Sequence, residues 1–296
     1  VGATGAVGRE MLVCLEERDF PLSQLTLLAS ARSAGQKLTF RGELITIKEL
    51  TADSFTGIDI ALFSAGGGIS LNYGPMAARA GCVVIDNSSA FRMDEDVPLV
   101  IPEINPRALV EQSAGPLRHA CATNCTLLPL ILPLAALNEA YGLEGYSMRS
   151  EQGLSGGGQA YMEAALAEGK VKPTIPGEAE KTEAEFRHLL GWHGEATLDC
   201  GRTMRRDGHH VFVEATFASS MDEAGVEQVL SAWSHDRRMS NLPSAPHKPL
   251  MLAPTIDVKA HLFADGNGFP QSPNPATERA AGMAVVVANL RCPRPN

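Results

Sequence analysis

Val1-Gly2-Ala3-Thr4-Gly5-Ala6-Val7-Gly8 decides the fold of the first part of the chain. Glycines at 2, 5 and 8 have the spacing of a dinucleotide loop: a tight turn, close approach to a pyrophosphate, and helix-on-strand packing with phosphates at the helix N-terminus. A Gly-rich turn without a ligand has the same spacing, so the surrounding pattern has to arbitrate. Residues 8–17 read as a helix, 25–29 and 58–64 as strands, 73–80 as a helix and 82–86 as a strand. Short, continuously apolar strands separated by helices predict an α/β half, a Rossmann-like doubly wound parallel sheet covered on both faces.

The second half has a different rhythm. A long apolar helix is expected over 126–141, a short strand over 146–150 ahead of Gly-rich 153–158, a helix over 178–190, an alternating strand over 211–218 and a helix over 223–233. Because strands and helices do not alternate simply, an α+β second domain is the expectation. Residues 241–280, rich in Pro, Asn and Gly, read as a long, partly irregular connection.

Length and composition narrow the function classes. At 296 residues the chain is long enough for two domains, and 44% hydrophobic with 20% charged residues is ordinary for a soluble globular protein. A net charge of -9 without a basic stripe disfavours nucleic acid and anionic lipid as partners. The longest apolar run, 125–137, contains Pro129 and Pro133 and is too short for a bilayer, so no membrane span is expected. The opening residues carry neither a basic region nor an apolar signal core, which makes a cytoplasmic location the expectation. Six cysteines in 296 residues lack the density of a disulfide scaffold, and most are expected to be buried thiols.

Cys121-Ala122-Thr123-Asn124-Cys125-Thr126 leads directly into the apolar helix. A cysteine at a helix N-terminus has its thiolate favoured by the helix dipole and by backbone N–H groups, each unit of lowering being worth about 1.4 kcal/mol. A buried structural cysteine is the plain alternative. No metal is expected, since Cys121 and Cys125 lack a second ligand pair at suitable spacing. A nucleophile needs a proton partner, and the Asp207-Gly208 turn could aim His209 into a cleft, although spacing alone does not choose among eight histidines. Where NAD binders carry an acidic residue, this chain has Ser30-Ala31-Arg32-Ser33; a guanidinium and two hydroxyls suit a 2′-phosphate and so NADP.

Together VGATGAVG, LLASARSAG, ALFSAGGG, VIDNSSAFRM, IPEINP, TNCT, EQGLSGGG, PGEAEK and the Arg202-to-His209 spacing resemble the aspartate-semialdehyde dehydrogenase family, continuously over 1–160 and more patchily to 216. The resemblance implies Cys125 as nucleophile, Gln152 positioning the covalent intermediate and His209 as acid/base. It implies Arg92 and Lys181 on phosphate, Asn124 beside the nucleophile, Glu178 on the substrate amine and Arg202 on its α-carboxylate. Gly2, Thr4, Gly5, Ala6, Val7, Gly8, Ser30, Arg32, Ser33, Ser64, Ala65, Gly66, Ser155, Gly156 and Gly157 would serve NADP. Arg forks suit carboxylate and phosphate on independent grounds. Glu178, Lys181 and Glu185 share one helical face, which without the resemblance reads as a solvated salt-bridge face.

The organisation implied is an NADP-binding domain over 1–123, a catalytic and dimerisation domain over 124–275 and a segment returning to the first domain over 276–296, in a homodimer or homotetramer. The reaction implied is the reversible NADP-dependent reductive dephosphorylation of L-aspartyl 4-phosphate to L-aspartate 4-semialdehyde. Two rivals stay open: an N-acetyl-gamma-glutamyl-phosphate reductase-like enzyme, against which Glu178 beside Lys181 argues, and a non-catalytic paralogue acting as a dimerising cofactor-binding module. His210 directly after His209 and a weakly matching 269–273 loop depart from the family pattern.

Overall fold

A computed structural model describes residues 1–110, 118–234 and 239–293. The elements in chain order are α1 (Ala6–Glu17), β1 (Leu28–Ala29), β2 (Lys37–Phe40), β3 (Glu43–Thr46), β4 (Lys48–Glu49), β5 (Ile60–Phe63), α2 (Gly67–Arg79), β6 (Val83–Asp86), β7 (His119–Cys121), α3 (Leu127–Tyr141), β8 (Leu143–Gln152), α4 (Gln159–Glu168), α5 (Glu178–Leu190), β9 (Glu195–Arg202), β10 (His209–Phe217), α6 (Glu223–Ala232), β11 (Leu250–Ala253) and β12 (Val285–Ala288). Two compact units form: Val1–Ile101 with Arg107–Thr123 and Gly157–Tyr161, and Pro102–Pro106 with Asn124–Gly156 and Met162–Asn296.

In the first unit β5, β6 and β7 are parallel neighbours, and β1 pairs in parallel with β4. Backbone between these ladders joins them: Gly2 N–H donates to Leu28 O at 2.9 Å, and Ser64 N–H donates to Val1 O at 3.0 Å. Apolar side chains of strand and helix close the core, with Phe55, Phe63, Ala77, Cys82 and Val84 in one cluster and Leu27, Ala29 and Ile47 in another. The parallel half expected from the apolar strands is therefore present, but β1 is only two residues long. The antiparallel pair β2–β3 was not legible, because its turn is made by Arg41 and Gly42, both at positive φ. A positive φ is unusual for arginine, and here tertiary bonds hold it: Arg41 N–H donates to Glu16 and its guanidinium to Asp19 and the Phe20 carbonyl.

The second unit is organised by β8, flanked by antiparallel β10 and parallel β9. Period-two alternation puts Tyr146, Met148, Ser150 and Gln152 on the buried face and Ser147 and Arg149 outward. Packing comes from α3, nearly all of whose inward residues from Leu127 to Leu137 are buried, and from α5. Tyr146, Phe186 and Trp192 make an aromatic cluster beneath the sheet. Beyond α6, β11 and β12 pair in parallel, Leu250 opposite Val285.

Candidate active site

The loop 122–126 between β7 and α3 is shaped by Asn124. Its side-chain Oδ1 accepts from the N–H groups of Thr126 at 2.9 Å and Leu127 at 3.1 Å, a side-chain cap on the first turn of α3. Cys125 is thereby presented at the helix start and is exposed, whereas Cys82, Cys121 and Cys200 are buried. Its Sγ stands 3.1 Å from Nε2 of His209, within reach of a sulfur hydrogen bond. Burial pushes the half-buried His209 imidazole below its ordinary value; a Gly208 hydrogen bond and Glu178 oppose this, and the charges of Arg202 and Arg205 add to it. A neutral imidazole at neutral pH can accept the thiol proton, which is what a general base for this sulfur requires. Burial also pushes the thiols of Cys82 and Cys200 up, away from the reactive thiolate form.

Strand register assembles the neighbours. Gln152, the last residue of β8, is the Cα partner of His209 on β10 and of Arg202 on β9, so all three lie in one row and on one face of the sheet. Gln152 is buried, and its Nε2 donates to Ser150 Oγ at 3.3 Å. Immediately after it, Gly153 N–H, Leu154 N–H and Ser155 N–H donate to the carbonyls of Gly208, Arg205 and Arg206, stitching the Gly-rich turn onto the β9–β10 connection. A Cβ on Gly153 would stand 2.8 Å from Asp207 Cα, and one on Gly156 would stand 3.0 Å from Arg202 Nη1. The glycines of EQGLSGGG in this unit thus allow two loops to touch, and Arg202 Nη1 donates to Gly153 O at 2.7 Å. Gly153→Ala is expected to destabilise the protein by about 1–3 kcal/mol through overpacking, measured as a lower urea midpoint at unchanged slope.

From α5, Thr126 Oγ1 donates to Glu178 Oε1 at 3.4 Å, Thr182 Oγ1 approaches Asn124 Oδ1 at 3.4 Å, and Glu185 Oε2 accepts the Asn124 N–H at 2.8 Å. Glu185 is 2% exposed, so it is not part of a solvated charged face; Lys181 of the same trio is exposed. Thr182 and Glu185 carry no motif that marks them. Only the i, i+4, i+7 spacing from Glu178 offered a signal, and burial decides it.

In the first unit, Gly2 has φ +83° and sits against Ala65, while a Cβ on Gly8 would run into Gly2 O. Gly5 caps α1 without a side-chain bond. Ser64 Oγ donates to Val1 O, which sets the 64–66 turn beside the first glycine turn. Both turns lead into helices, and backbone donors at the α1 N-terminus with no side chain in the way suit a pyrophosphate. Ser30 and Arg32 are exposed at the end of β1. Arg92 is buried, its Nε donating to Ala122 O at 2.9 Å and its Nη2 to Asn87 O at 3.1 Å.

Among the described residues, one group has metal-ligand character: Asp86, His119 and Cys121, all buried, with ligand atoms within 4.8 Å of one another. Asp86 already accepts from Ser88 N–H at 2.7 Å and Ser70 Oγ at 3.1 Å, with His119 Nε2 at 3.6 Å. Burial pushes its carboxyl up, but His119, Ser88 and Ser70 outweigh that and hold it below the ordinary value. The set reads as a buried polar contact between β6 and β7.

A family model described as "Semialdehyde dehydrogenase, NAD binding domain" matches residues 1–112. An aspartate-semialdehyde dehydrogenase of Bacillus subtilis is 43% identical over 185 residues, 59% of this chain and 51% of the relative. One from Aquifex aeolicus is 45% identical over 207 residues, 67% of this chain and 58% of the relative. The chain therefore spans about half the length of the curated relatives it matches. A crystal structure of aspartate semialdehyde dehydrogenase II from Vibrio cholerae, complexed with ASA, superposes with a TM-score of 0.71 at 30% identity, covering 86% of this chain and 80% of that one.

Proposed function

The chain belongs to the aspartate-semialdehyde dehydrogenase family, and we propose that it catalyses the reversible, NADP-dependent reductive dephosphorylation of L-aspartyl 4-phosphate to L-aspartate 4-semialdehyde through a thioester on Cys125. The observation that carries this reading is the 3.1 Å approach of Cys125 Sγ to His209 Nε2, with Gln152 and Arg202 in the same sheet row as His209.

His209 takes the thiol proton, and the Cys125 thiolate attacks the acyl carbon and displaces phosphate, dividing one difficult transfer into two easier ones. Arg92 and Lys181 are assigned to the phosphate. Glu178 takes the substrate ammonium, Arg202 the α-carboxylate by its planar fork, and Gln152 orients the acyl oxygen beside the sulfur. Asn124 keeps the nucleophile at the helix start. When bound, the nicotinamide supplies the hydride. As the aldehyde is released from sulfur, protonated His209 returns its proton to the Cys125 thiolate.

The glycine turns at 2–8 and 64–66, with Ser155, Gly156 and Gly157, are assigned to the dinucleotide. Gly2 and Gly66 at positive φ, Gly8 packed against the Gly2 carbonyl, and the uncapped α1 N-terminus fit that group. Ser30, Arg32 and Ser33 are assigned to a 2′-phosphate, hence NADP rather than NAD. Arg32→Asp is expected to lower kcat/KM for NADP at least about tenfold and to improve NAD relative to it, since it removes a charge-assisted bond and introduces like-charge repulsion. Steady-state rates with each cofactor check this.

A homodimer or homotetramer formed through the second domain completes the proposal, supported by Phe212, 40% exposed and 4.2 Å from the Arg149 guanidinium on the outward sheet face. Among the described residues no helix is long and apolar enough to cross a membrane. The deciding experiment is NADP reduction by aspartate semialdehyde with and without inorganic phosphate. Phosphate-dependent turnover supports the proposal; turnover that ignores phosphate, or none, sinks it.

A further inference from the structure

We infer that Glu185 is a positioning residue that holds the Cys125 backbone in its reactive place. The inference rests on the role proposed for Cys125. Cys125 is exposed, so its side chain does little to fix the loop by packing; hydrogen bonds on either side of it have to. The Asn124 N–H, one residue before the nucleophile, ends on Glu185 Oε2 at 2.8 Å, and the Asn124 side chain is held by the N–H groups of Thr126 and Leu127; the Thr182 hydroxyl, which donates to the Glu178 carbonyl at 2.8 Å, lies 3.4 Å from Asn124 Oδ1. One residue after the nucleophile, Thr126 Oγ1 reaches Glu178. Glu178, Thr182 and Glu185 are spaced i, i+4, i+7, a single stripe of α5. The same helix face thus bonds residues 124 and 126 and carries Glu178, the group proposed for the substrate ammonium.

A carboxylate 2% exposed is costly to bury, and a leucine or methionine would fill the volume without that cost. What the carboxylate gives is an oxygen acceptor at the Asn124 N–H, which neither a leucine nor a methionine supplies. Misplacing a reacting group by about 1 Å can cost about a hundredfold in rate, so an anchor one residue away acts on the chemistry while touching no substrate.

The test compares Glu185→Gln, which keeps an oxygen acceptor at the same reach, with Glu185→Asp, which keeps the charge but draws the acceptor back by about 1.5 Å, one carbon–carbon bond. Alkylation of Cys125 by iodoacetamide at neutral pH, followed on its own peptide by mass spectrometry, needs no substrate and so reads independently of the proposed reaction. The Asp variant is expected to alkylate at least about tenfold more slowly and the Gln variant within about threefold of the parent, with the melting temperature of the Gln variant close to the parent's and the Asp variant still folded but less stable by about 1–3 kcal/mol, the cost of an unpaired buried N–H. In turnover assays the Asp variant should lose kcat by a similar factor at little-changed KM. An Asp variant as reactive as the parent, or a Gln variant as slow as the Asp variant, overturns the inference. Should either variant not fold, Glu185→Met, which fills the volume but offers the Asn124 N–H no oxygen, is expected to slow alkylation at least about tenfold, and an unchanged rate there overturns it equally. Absence of turnover in the parent with the alkylation pattern intact would count against the proposed reaction and leave the anchoring role standing.

Discussion

Cys125→Ala is expected to abolish phosphate-dependent NADP reduction by aspartate semialdehyde, a loss on the order of 10⁵-fold or more of the kind seen when a covalent nucleophile is removed. The size follows from what the sulfur does. It is the atom bonded to the acyl group, so its loss removes the intermediate itself rather than weakening one contact. No neighbouring thiol stands in: Cys121 is buried in the Asp86–His119 cluster, and burial pushes the Cys200 thiol up. A residual rate above about 1% of the parent would show that the reaction does not pass through this sulfur.

His209→Asn is the second large effect, about 10²- to 10⁴-fold in kcat, the usual range for a general acid–base group. Its pH dependence carries the sharper information. The folded His209 pKa is lowered, chiefly by burial, so the competent neutral imidazole is gained as pH rises through a midpoint below 6.5 and stays populated above it. The parent's kcat/KM should therefore rise on an acid limb centred below 6.5 and then level. In the Asn variant that limb should move upward toward the ordinary thiol range of about 8.5, because the thiol must then ionise without a partner. With two interacting groups, the observed midpoints belong to the pair. An unchanged limb in the variant would remove His209 from the proton path.

Much of the first unit was legible because its signals are local. Glycines at 2 and 8 answer to backbone contacts only glycine permits, and the apolar strands of β5 and β6 answer to burial on a parallel sheet. What escaped depends on partners distant in sequence. β9 alternates Ala196, Leu198 and Cys200 with Glu195, Thr197 and Asp199, a period-two pattern masked by acidic residues and Gly201 that strands usually avoid. β7, three residues long, and β11 with β12 exist only through the strands they pair with. In the candidate site, the thiol at the helix start could be read from TNCT, but spacing gave no preference for His209 over seven other histidines. Register with Gln152 is what brings His209 to the sulfur. Glu185 read as a surface charge because helical periodicity gives a face without saying what lies against it.

The row formed by Arg202, Gln152 and His209 also restricts which lengths of chain the fold can accept. Side chains alternate faces along a strand, so deleting or inserting one residue within the ends of β8, β9 or β10 that meet there would send one of the three to the opposite face. The connection of residues 203–208 works as a fixed spacer between two functional side chains, and three backbone bonds from the 153–155 turn measure its length. Length variation among natural relatives should therefore collect in the far connections of this sheet, such as the one joining β10 to α6, while the count of residues from 202 to 209 stays constant even where the letters between them change.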